Sequence, residues 1–208
     1  MSNEDLKDCQ RLQELIQLAT LEMKGSIGYD RIRKEIREIL ETKQEIVVDF
    51  VNSNGDNALQ LACENPSTSD IAAEIVRTIG FGNKSVVNNQ NKNTGMTALH
   101  TVCVRGSVDL IGLLLQYGAD IDIKDKNGDT ALITACKWVQ DGCMLELIRH
   151  GANIDTQCAK GTSARMILVK RLDSADVANK IKLKARIEDA MECARSGHLS
   201  QRTWSSSI

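Results

Sequence analysis

The sequence predicts an all-α protein in which similar helix–turn–helix units stack into a solenoid between helical caps. Two glycine-led segments, GMTALHTVC from Gly95 and GDTALITAC from Gly128, are nearly identical at an offset of 33 residues. A second pair, LLLQYGADID and ELIRHGANID, repeats at the same offset of 33 residues. Aromatic residues make up only 3% of the chain and there is one proline, which favours helices packed on helices. A unit of this size cannot bury its own apolar faces and therefore stacks on its neighbours.

Composition and charge argue against several classes of protein. The 208 residues carry a formal net charge of −2, which provides no basic excess for nucleic acid. The densest apolar stretch, Leu110–Leu115, is far too short to span a membrane. The acidic start MSNEDLKDCQ is unlike a signal peptide. We therefore expect a monomeric cytoplasmic protein that can also reach the nucleus and that contacts neither nucleic acid nor membrane directly.

The N-terminal region, residues 1–51, is predicted to be a helical cap. Residues 4–24 form an amphipathic stretch whose apolar side consists of Leu12, Leu15, Ile16, Ala19 and Met23. Residues 30–42 form a second stretch, with an inner face of Ile32, Ile36, Ile39 and Leu40. Terminal units of a repeat stack differ from internal ones because one face meets solvent.

The repeated units are predicted at residues 52–91, 92–124 and 125–157. Thr97 and Thr130 precede the first apolar helix of their units, where a hydroxyl can cap the orphan backbone N–H groups. Gly118 and Gly151 follow the second helix and are typical of left-handed C-cap positions. An extended segment and an Asn-Gly turn then lead into the next unit.

The two ends of the stack depart from the period of 33. The first spacing, from Gly55 to Gly95, is 40 residues, and we assign the extra residues to Thr78–Asn93. Residues 158–195 are predicted to be a degenerate capping repeat with an inner helix at Gly161–Arg171. Its outer helix, Asp176–Arg195, is expected to pack through Ile181, Ile187, Met191 and Ala194. Residues 196–208 are predicted to be a flexible tail.

These units resemble the ankyrin repeat over roughly residues 45–175. The matching structural positions are Gly95, Thr97, Leu99, His100, Gly118, Gly128, Thr130, Leu132 and Gly151. The usual proline is replaced by Ala58, Ala98 and Ala131, and the usual histidine becomes Gln60 and Ile133 in the sister units. The resemblance implies a stack with β-turn fingers that binds proteins and uses no cofactor.

The long first repeat and the segments GDNALQLAC, IAAEIVRTIG and VVNNQNKNTGMTALH are similar to the IκB branch of ankyrin proteins. That resemblance implies a Rel/NF-κB factor as the partner, inhibited because the stack covers its nuclear localisation segment and obstructs its DNA-binding surface. The chain departs from the branch in lacking a DSGxxS phosphodegron and an acidic, proline-rich tail.

Two alternatives to the IκB-like hypothesis are a generic ankyrin adaptor and a regulatory subunit. The second would be localised by Ser206-Ser207-Ile208, which is similar to a PDZ ligand.

By register, a partner would contact the turn tips and the exposed ends of the inner helices. The candidate partner-binding residues are Trp138, Arg105, Lys137, Met96, Asp129, Lys126, Asn127, Asn93, Thr94, Glu64, Lys170 and Arg171. Trp138 is the most informative because tryptophan is over-represented at binding hot spots, although it could instead pack over the neighbouring helix. The cations in this set predict a basic groove and a partner with acidic and apolar side chains.

No catalytic, metal or small-molecule site is predicted. Cys63, Cys103 and Cys136 occupy the same position in three repeats, which indicates small buried core residues. His100 and Cys103 share a helix but lack the third group that orients a catalytic base. The aspartates of residues 120–129 lack the glycine and glutamate positions of a calcium-binding EF-hand loop.

Overall fold

A computed structural model of the chain describes residues 3–47, 50–79, 83–174 and 177–196. Within these ranges the molecule consists of α-helices, one short 3₁₀-helix at Pro66–Thr68 and connecting turns, without β-strands. The helices are α1 (Asn3–Ala19), α2 (Ile27–Val47), α3 (Ala58–Cys63), α4 (Ser69–Ile79), α5 (Lys84–Val87), α6 (Ala98–Arg105), α7 (Asp109–Gln116), α8 (Ala131–Lys137), α9 (Asp141–Arg149), α10 (Ala164–Ser174) and α11 (Val177–Ser196). The all-α solenoid predicted from the sequence is confirmed.

The N-terminal cap is a pair of helices with different bounds from those predicted. Helix α1 ends at Ala19 instead of residue 24, because the Thr20 hydroxyl donates to the Gln17 carbonyl at 2.7 Å and the chain turns there. Met23, expected on the buried side, is 81% exposed in this turn. Helix α2 begins earlier than predicted and buries Ile36 and Leu40.

An ion-pair network fastens the cap to the first repeat. The Tyr29 hydroxyl donates to Asp70 at 2.5 Å, and Tyr29 is itself buried. Arg33 and Arg37 both bind the Glu74 carboxylate on α4. Burial alone would raise the pKa of Glu74, but the hydrogen bonds from the two arginines outweigh it and lower that pKa. The cap is therefore held by charge-assisted bonds as well as by apolar packing.

The repeats form two layers of helices. Helices α3, α6, α8 and α10 pack in order as the inner layer, and α4, α7, α9 and α11 as the outer layer. Cys63, Cys103 and Cys136 are buried in the core, which confirms their predicted structural role. Burial raises the pKa of the Cys63 thiol to about 12, so this group remains a protonated packing residue at neutral pH.

Four tight turns, here called fingers, project from the inner layer at residues 52–56, 91–96, 125–129 and 158–162. Each is closed by a backbone hydrogen bond of 2.9 Å between its first and last residues. Neighbouring fingers are joined by further backbone bonds, from Lys92 N to the Asn54 carbonyl at 3.0 Å, from Lys126 N to Thr94 at 2.9 Å and from Ala159 N to Asn127 at 3.0 Å. The fingers therefore form one continuous row.

Extra residues of the first repeat lie in two places within the described part of the chain. Part of the insertion forms α5, whose Val86 and Val87 are buried against the stack. One further residue lies in the second finger, which spans six residues where the other three span five. The insertion thus adds packing surface behind the first repeat and lengthens one finger.

The C-terminal layer packs differently from the prediction at one position. Ile181, expected inside, is 65% exposed. Leu183 packs against the core in its place, and Ile187 and Met191 pack there as predicted. Since Leu183 lies about 200° from Ile181 around an α-helix, the two side chains cannot face the same neighbour.

Candidate protein-binding groove

Two equivalent polar residues, Gln60 and His100, hold the inner helices in register with the fingers. Gln60 Nε2 donates to the Met96 carbonyl at 2.9 Å. His100 Nε2 lies 3.0 Å from the carbonyl of Asp129, the position equivalent to Met96 in the next finger. The substitution of histidine by glutamine in the first repeat therefore preserves the link between repeats. Ile133 has no such donor.

A groove of about 390 Å³ runs between the fingers and the inner helices. Its walls come from α6, α8, the end of α3 and three fingers. The lining residues are Asp56, Glu64, Asn91, Thr94, Met96, Thr101, Val104, Arg105, Asp125, Asn127, Asp129, Thr134, Lys137 and Trp138. Eight of the twelve candidate partner-binding residues are thus brought together.

Trp138 forms one end of the groove. It follows the last residue of α8 as the C-cap, and its side chain is 59% exposed. It therefore does not fill the core. The next residue, Val139, has a φ of 58° and is 61% exposed, which places two apolar side chains in solvent at the same turn.

The groove is acidic, and the predicted basic character is wrong. Its lining contains four carboxylates and only two cations, Arg105 and Lys137. Lys137 is already paired with Asp129, its Nζ lying 2.7 and 2.5 Å from the two carboxylate oxygens. The remaining carboxylates belong to Asp56, Glu64 and Asp125.

The pKa of Glu64 is raised in the groove. Partial burial and the neighbouring Asp56 carboxylate raise the pKa of Glu64, while Arg105 opposes this effect. A cationic side chain entering the groove would favour the ionised form of Glu64. The chemistry that fits this surface is a basic segment with an apolar or cationic group against the indole.

The other four candidates lie outside the lining. Asn93 and Lys126 are exposed finger residues, and Lys126 Nζ binds the Lys92 carbonyl. Lys170 is exposed on α10. Arg171 faces a different cleft, where its Nη2 lies 2.8 Å from Asp141 Oδ1.

Helix length explains the misplacement of Arg171. Residue 171 is equivalent to Trp138 at the period of 33, but α8 ends at Lys137 whereas α10 continues to Ser174. Arg171 therefore remains helical and does not turn toward the fingers.

Sequence reasoning also missed groove residues. Two carboxylates of the lining, Asp56 and Asp125, are not among the twelve candidates. Asp125 Oδ1 accepts the backbone N–H groups of Asn127 and Asp129 at 2.8 Å. An aspartate or asparagine at the start of a finger could have revealed this turn-stabilising role, because such side chains bind their own backbone two residues on.

Comparison with known families agrees with this architecture. Residues 72–158 match the family described as ankyrin repeats, in three copies. The chain contains ankyrin repeats. Ankyrin stacks are protein-interaction modules, so proteins are the expected class of partner.

Several known proteins are similar to part of the sequence. The chain is 29% identical over 125 residues to NF-kappa-B inhibitor alpha of Mus musculus. This match covers 56% of the chain and 37% of that protein. The Sus scrofa protein of the same name is 30% identical over 122 residues, with the same shares of 56% and 37%. E3 ubiquitin-protein ligase KEG of Arabidopsis thaliana is 44% identical over 57 residues, covering 27% of this chain and 3% of the ligase. The chain therefore spans well under half of the length of these relatives.

Other features of the ankyrin chain bear on its class. In the described ranges, no helix is both long and apolar enough to cross a membrane. The same residues contain no group of His, Cys, Asp and Glu side chains arranged to hold a metal ion. The Ser206-Ser207-Ile208 motif and the predicted tail after residue 196 lie outside the described residues.

Proposed function

We propose that the chain is an IκB-like inhibitor that binds a Rel/NF-κB transcription factor through the groove and blocks its nuclear entry or DNA binding. The observation that carries this proposal is the acidic groove ending at an exposed indole. The likeness to NF-kappa-B inhibitor alpha over 56% of the chain supports the choice of partner. The proposed activity is binding alone, without catalysis or a cofactor.

The groove is suited to a nuclear localisation segment. Such segments are short runs of lysine and arginine. Their charges would be attracted by Glu64, Asp56 and Asp125, while a guanidinium or aliphatic stem could lie on the face of Trp138. The Lys137–Asp129 pair leaves these three carboxylates to set the sign of the groove.

The proposed contact residues follow from the groove lining. They are Trp138, Glu64, Asp125, Asp56, Arg105, Lys137, Asp129, Met96, Thr94 and Asn127. Asn93 and Lys126 would contact the partner only where it extends over the finger tips. Lys170 and Arg171 are left out because neither lines this groove, and Arg171 lines a different cleft.

The test measures the dissociation constant of the purified chain with a Rel-homology dimer that retains its nuclear localisation segment. The acidic groove is neutralised in the double variant Glu64→Gln, Asp125→Asn. Asparagine is tolerated at this finger position because Asn52 and Asn91 start the first and second fingers with the same side-chain acceptor geometry. A matched control, Asp122→Asn with Glu188→Gln, removes the same charge from exposed residues outside the groove.

We expect tight binding by the parent chain and the control, and at least about tenfold weaker binding by the groove variant. Trp138→Ala should weaken binding by a similar factor. Absence of binding to any Rel-homology dimer would overturn the inhibitor proposal and favour the general adaptor. Binding that is insensitive to both groove changes would place the contact elsewhere on the stack.

A further inference from the structure

A second cleft lies in the C-terminal cap, where the start of α9 meets α10 and α11. It encloses about 390 Å³ and is separate from the groove. Its polar lining residues are Asp141, Arg171, Ser174, Asn179, Lys182 and Arg186. Leu183 is the one apolar side chain among the lining residues that the structure describes. We call it the cap cleft.

The cap cleft is strongly cationic. Among the described lining residues, Arg171, Lys182 and Arg186 face a single carboxylate, Asp141, which gives these residues a formal net charge of +2. No carboxylate in the described part of the chain forms an ion pair with Lys182 or Arg186. The excess charge at this site is opposite in sign to that of the groove and to the −2 of the whole chain.

The ion pair between Arg171 and Asp141 leaves hydrogen-bonding groups of the described cleft residues unused. Arg171 Nη2 lies 2.8 Å from Asp141 Oδ1, so the charges are adjacent. Among the described residues, however, the buried atoms Asp141 Oδ1 and Arg171 Nη1 have no hydrogen-bond partner. Most buried polar atoms in proteins are paired, and a guanidinium offers five N–H donors. Arg171 therefore retains capacity for an acceptor that enters the cleft.

Four cations lie close together on α11. Lys180, Lys182, Lys184 and Arg186 all lie in the first half of this helix of 20 residues. Lys182 and Arg186 are four residues apart and are therefore neighbours on the helix surface, where like charges repel. A bound anion in the cap cleft would offset this repulsion.

We propose that the cap cleft binds a phosphate monoester carried on a side chain of a protein partner. A phosphorylated serine or threonine carries between about −1.5 and −2 charges near neutral pH, which matches the +2 of the lining. The organic part of a small ligand would need an apolar wall, and Leu183 is the one apolar residue in the described lining. A phosphorylated side chain requires only that its phosphate be held, because its backbone remains outside the cleft.

The test uses the full chain and isothermal titration with O-phospho-L-serine, with serine and sodium sulfate at matched ionic strength as reference ligands. The cleft variant is Lys182→Ala with Arg186→Ala. Its matched control is Lys180→Ala with Lys184→Ala, which removes the same charge from the same helix outside the cleft lining. Arg171→Lys serves as a second variant, because it keeps the charge near Asp141 and removes the guanidinium fork.

We expect phosphoserine to bind the parent and the matched control alike, and the cleft variant to bind at least about tenfold more weakly. Arg171→Lys should also weaken binding. Equal loss in both double variants would overturn the proposal in favour of a diffuse basic surface, and undetectable binding to the parent would overturn it outright. Binding to phosphatidylinositol-phosphate vesicles without binding to phosphoserine would replace the proposed partner with a membrane surface.

Discussion

His100 uses both nitrogens of its ring, one to cap its own helix and the other to join the second repeat to the third. Its Nδ1 accepts the Thr97 backbone N–H at 3.2 Å, and its Nε2 lies 3.0 Å from the Asp129 carbonyl, to which it donates. This arrangement requires the neutral ring with the proton on Nε2. Burial lowers the pKa of His100, which agrees with that assignment.

The His100 pKa shift gives a pH dependence with a defined sign. In the unfolded chain, the His100 ring takes up a proton near its ordinary pKa of 6.5. In the folded chain, the ring is protonated only at lower pH. The contribution of His100 to the free energy of unfolding should therefore be fully present above pH 6.5. It should fall as the pH drops from 6.5 toward the lowered pKa. His100→Gln, which adopts the bonding of Gln60, should reduce this fall and cost little at neutral pH.

His100→Leu provides the contrast at the same position. It leaves the buried Thr97 N–H and the Asp129 carbonyl without this partner and should lower the free energy of unfolding by about 2 kcal/mol. Urea unfolding at about pH 7.5 and about pH 5.5 compares all three proteins. An unchanged pH dependence in His100→Gln would contradict the assignment.

Val139 has a left-handed backbone conformation, and glycine occupies the equivalent position of the second repeat. Its φ is 58°, and the equivalent Gly106 has a φ of 76°. Left-handed φ is strained for a β-branched residue, by about 1–3 kcal/mol. Because Val139 is 61% exposed, little packing is lost on its removal.

Val139→Gly should therefore raise the free energy of unfolding by up to about 1 kcal/mol, after the entropy of glycine in the unfolded chain is deducted. Gly106→Ala is the opposite change and should lower the free energy of unfolding, since a Cβ there would overlap the Gln140 side chain. Thermal unfolding distinguishes them, and equal destabilisation by both would show that Val139 is not strained.

At the scale of elements, the row of fingers is held together by close backbone contact at its glycines. A Cβ on Gly128 would lie 2.5 Å from Ala159 N in the next finger. The same addition on Gly161 meets no atom of the described residues within 4 Å, although its φ of 72° is also left-handed. The two positions therefore separate backbone strain from contact between fingers.

Gly161→Ala should cost about 1 kcal/mol from strain alone, and Gly128→Ala at least about 1 kcal/mol more because the fourth finger must move. Equilibrium urea unfolding measures both. If the two variants were equally destabilised, the contact between the third and fourth fingers would contribute nothing measurable.

The period of 33 residues was sufficient to predict the internal helices and turns, because each apolar position is specified again in the next unit. The caps had no such repetition. The end of α1 depends on a turn at Thr20, and the side predicted for Ile181 is wrong because apolar and charged residues alternate along α11. A local sequence pattern predicts helix ends and buried faces less well in the caps, because no second copy of the pattern is there for comparison.

At the scale of the molecule, charge is separated between the acidic groove and the cationic cap cleft. Register placed eight groove residues correctly in space, including Trp138 and Arg105. It could not reveal that Asp129 neutralises Lys137, nor that α10 carries Arg171 into the cap cleft. The sign of the net charge in the groove depends on these tertiary contacts, which cannot be inferred by counting charges along the sequence.

The raised pKa of Glu64 predicts how a basic ligand would respond to pH. As the pH falls through that pKa, which lies above the ordinary 4.5, Glu64 becomes neutral and its attraction for a cation is lost. Affinity for a lysine-rich peptide should therefore decline earlier in acid than an unperturbed carboxylate would allow. Glu64→Gln should remove this part of the pH profile, measured by fluorescence anisotropy, and an unaltered profile would contradict the role of Glu64.

The central claim is that the acidic groove holds the nuclear localisation segment of a Rel/NF-κB factor. It is tested most directly by measuring the dissociation constants of the parent chain and the Glu64→Gln, Asp125→Asn variant against a Rel-homology dimer with and without that segment. Deleting the segment should weaken the parent by at least about tenfold and barely affect the variant, because the two changes remove the same interaction. Equal weakening of parent and variant would show that the segment does not bind in the groove.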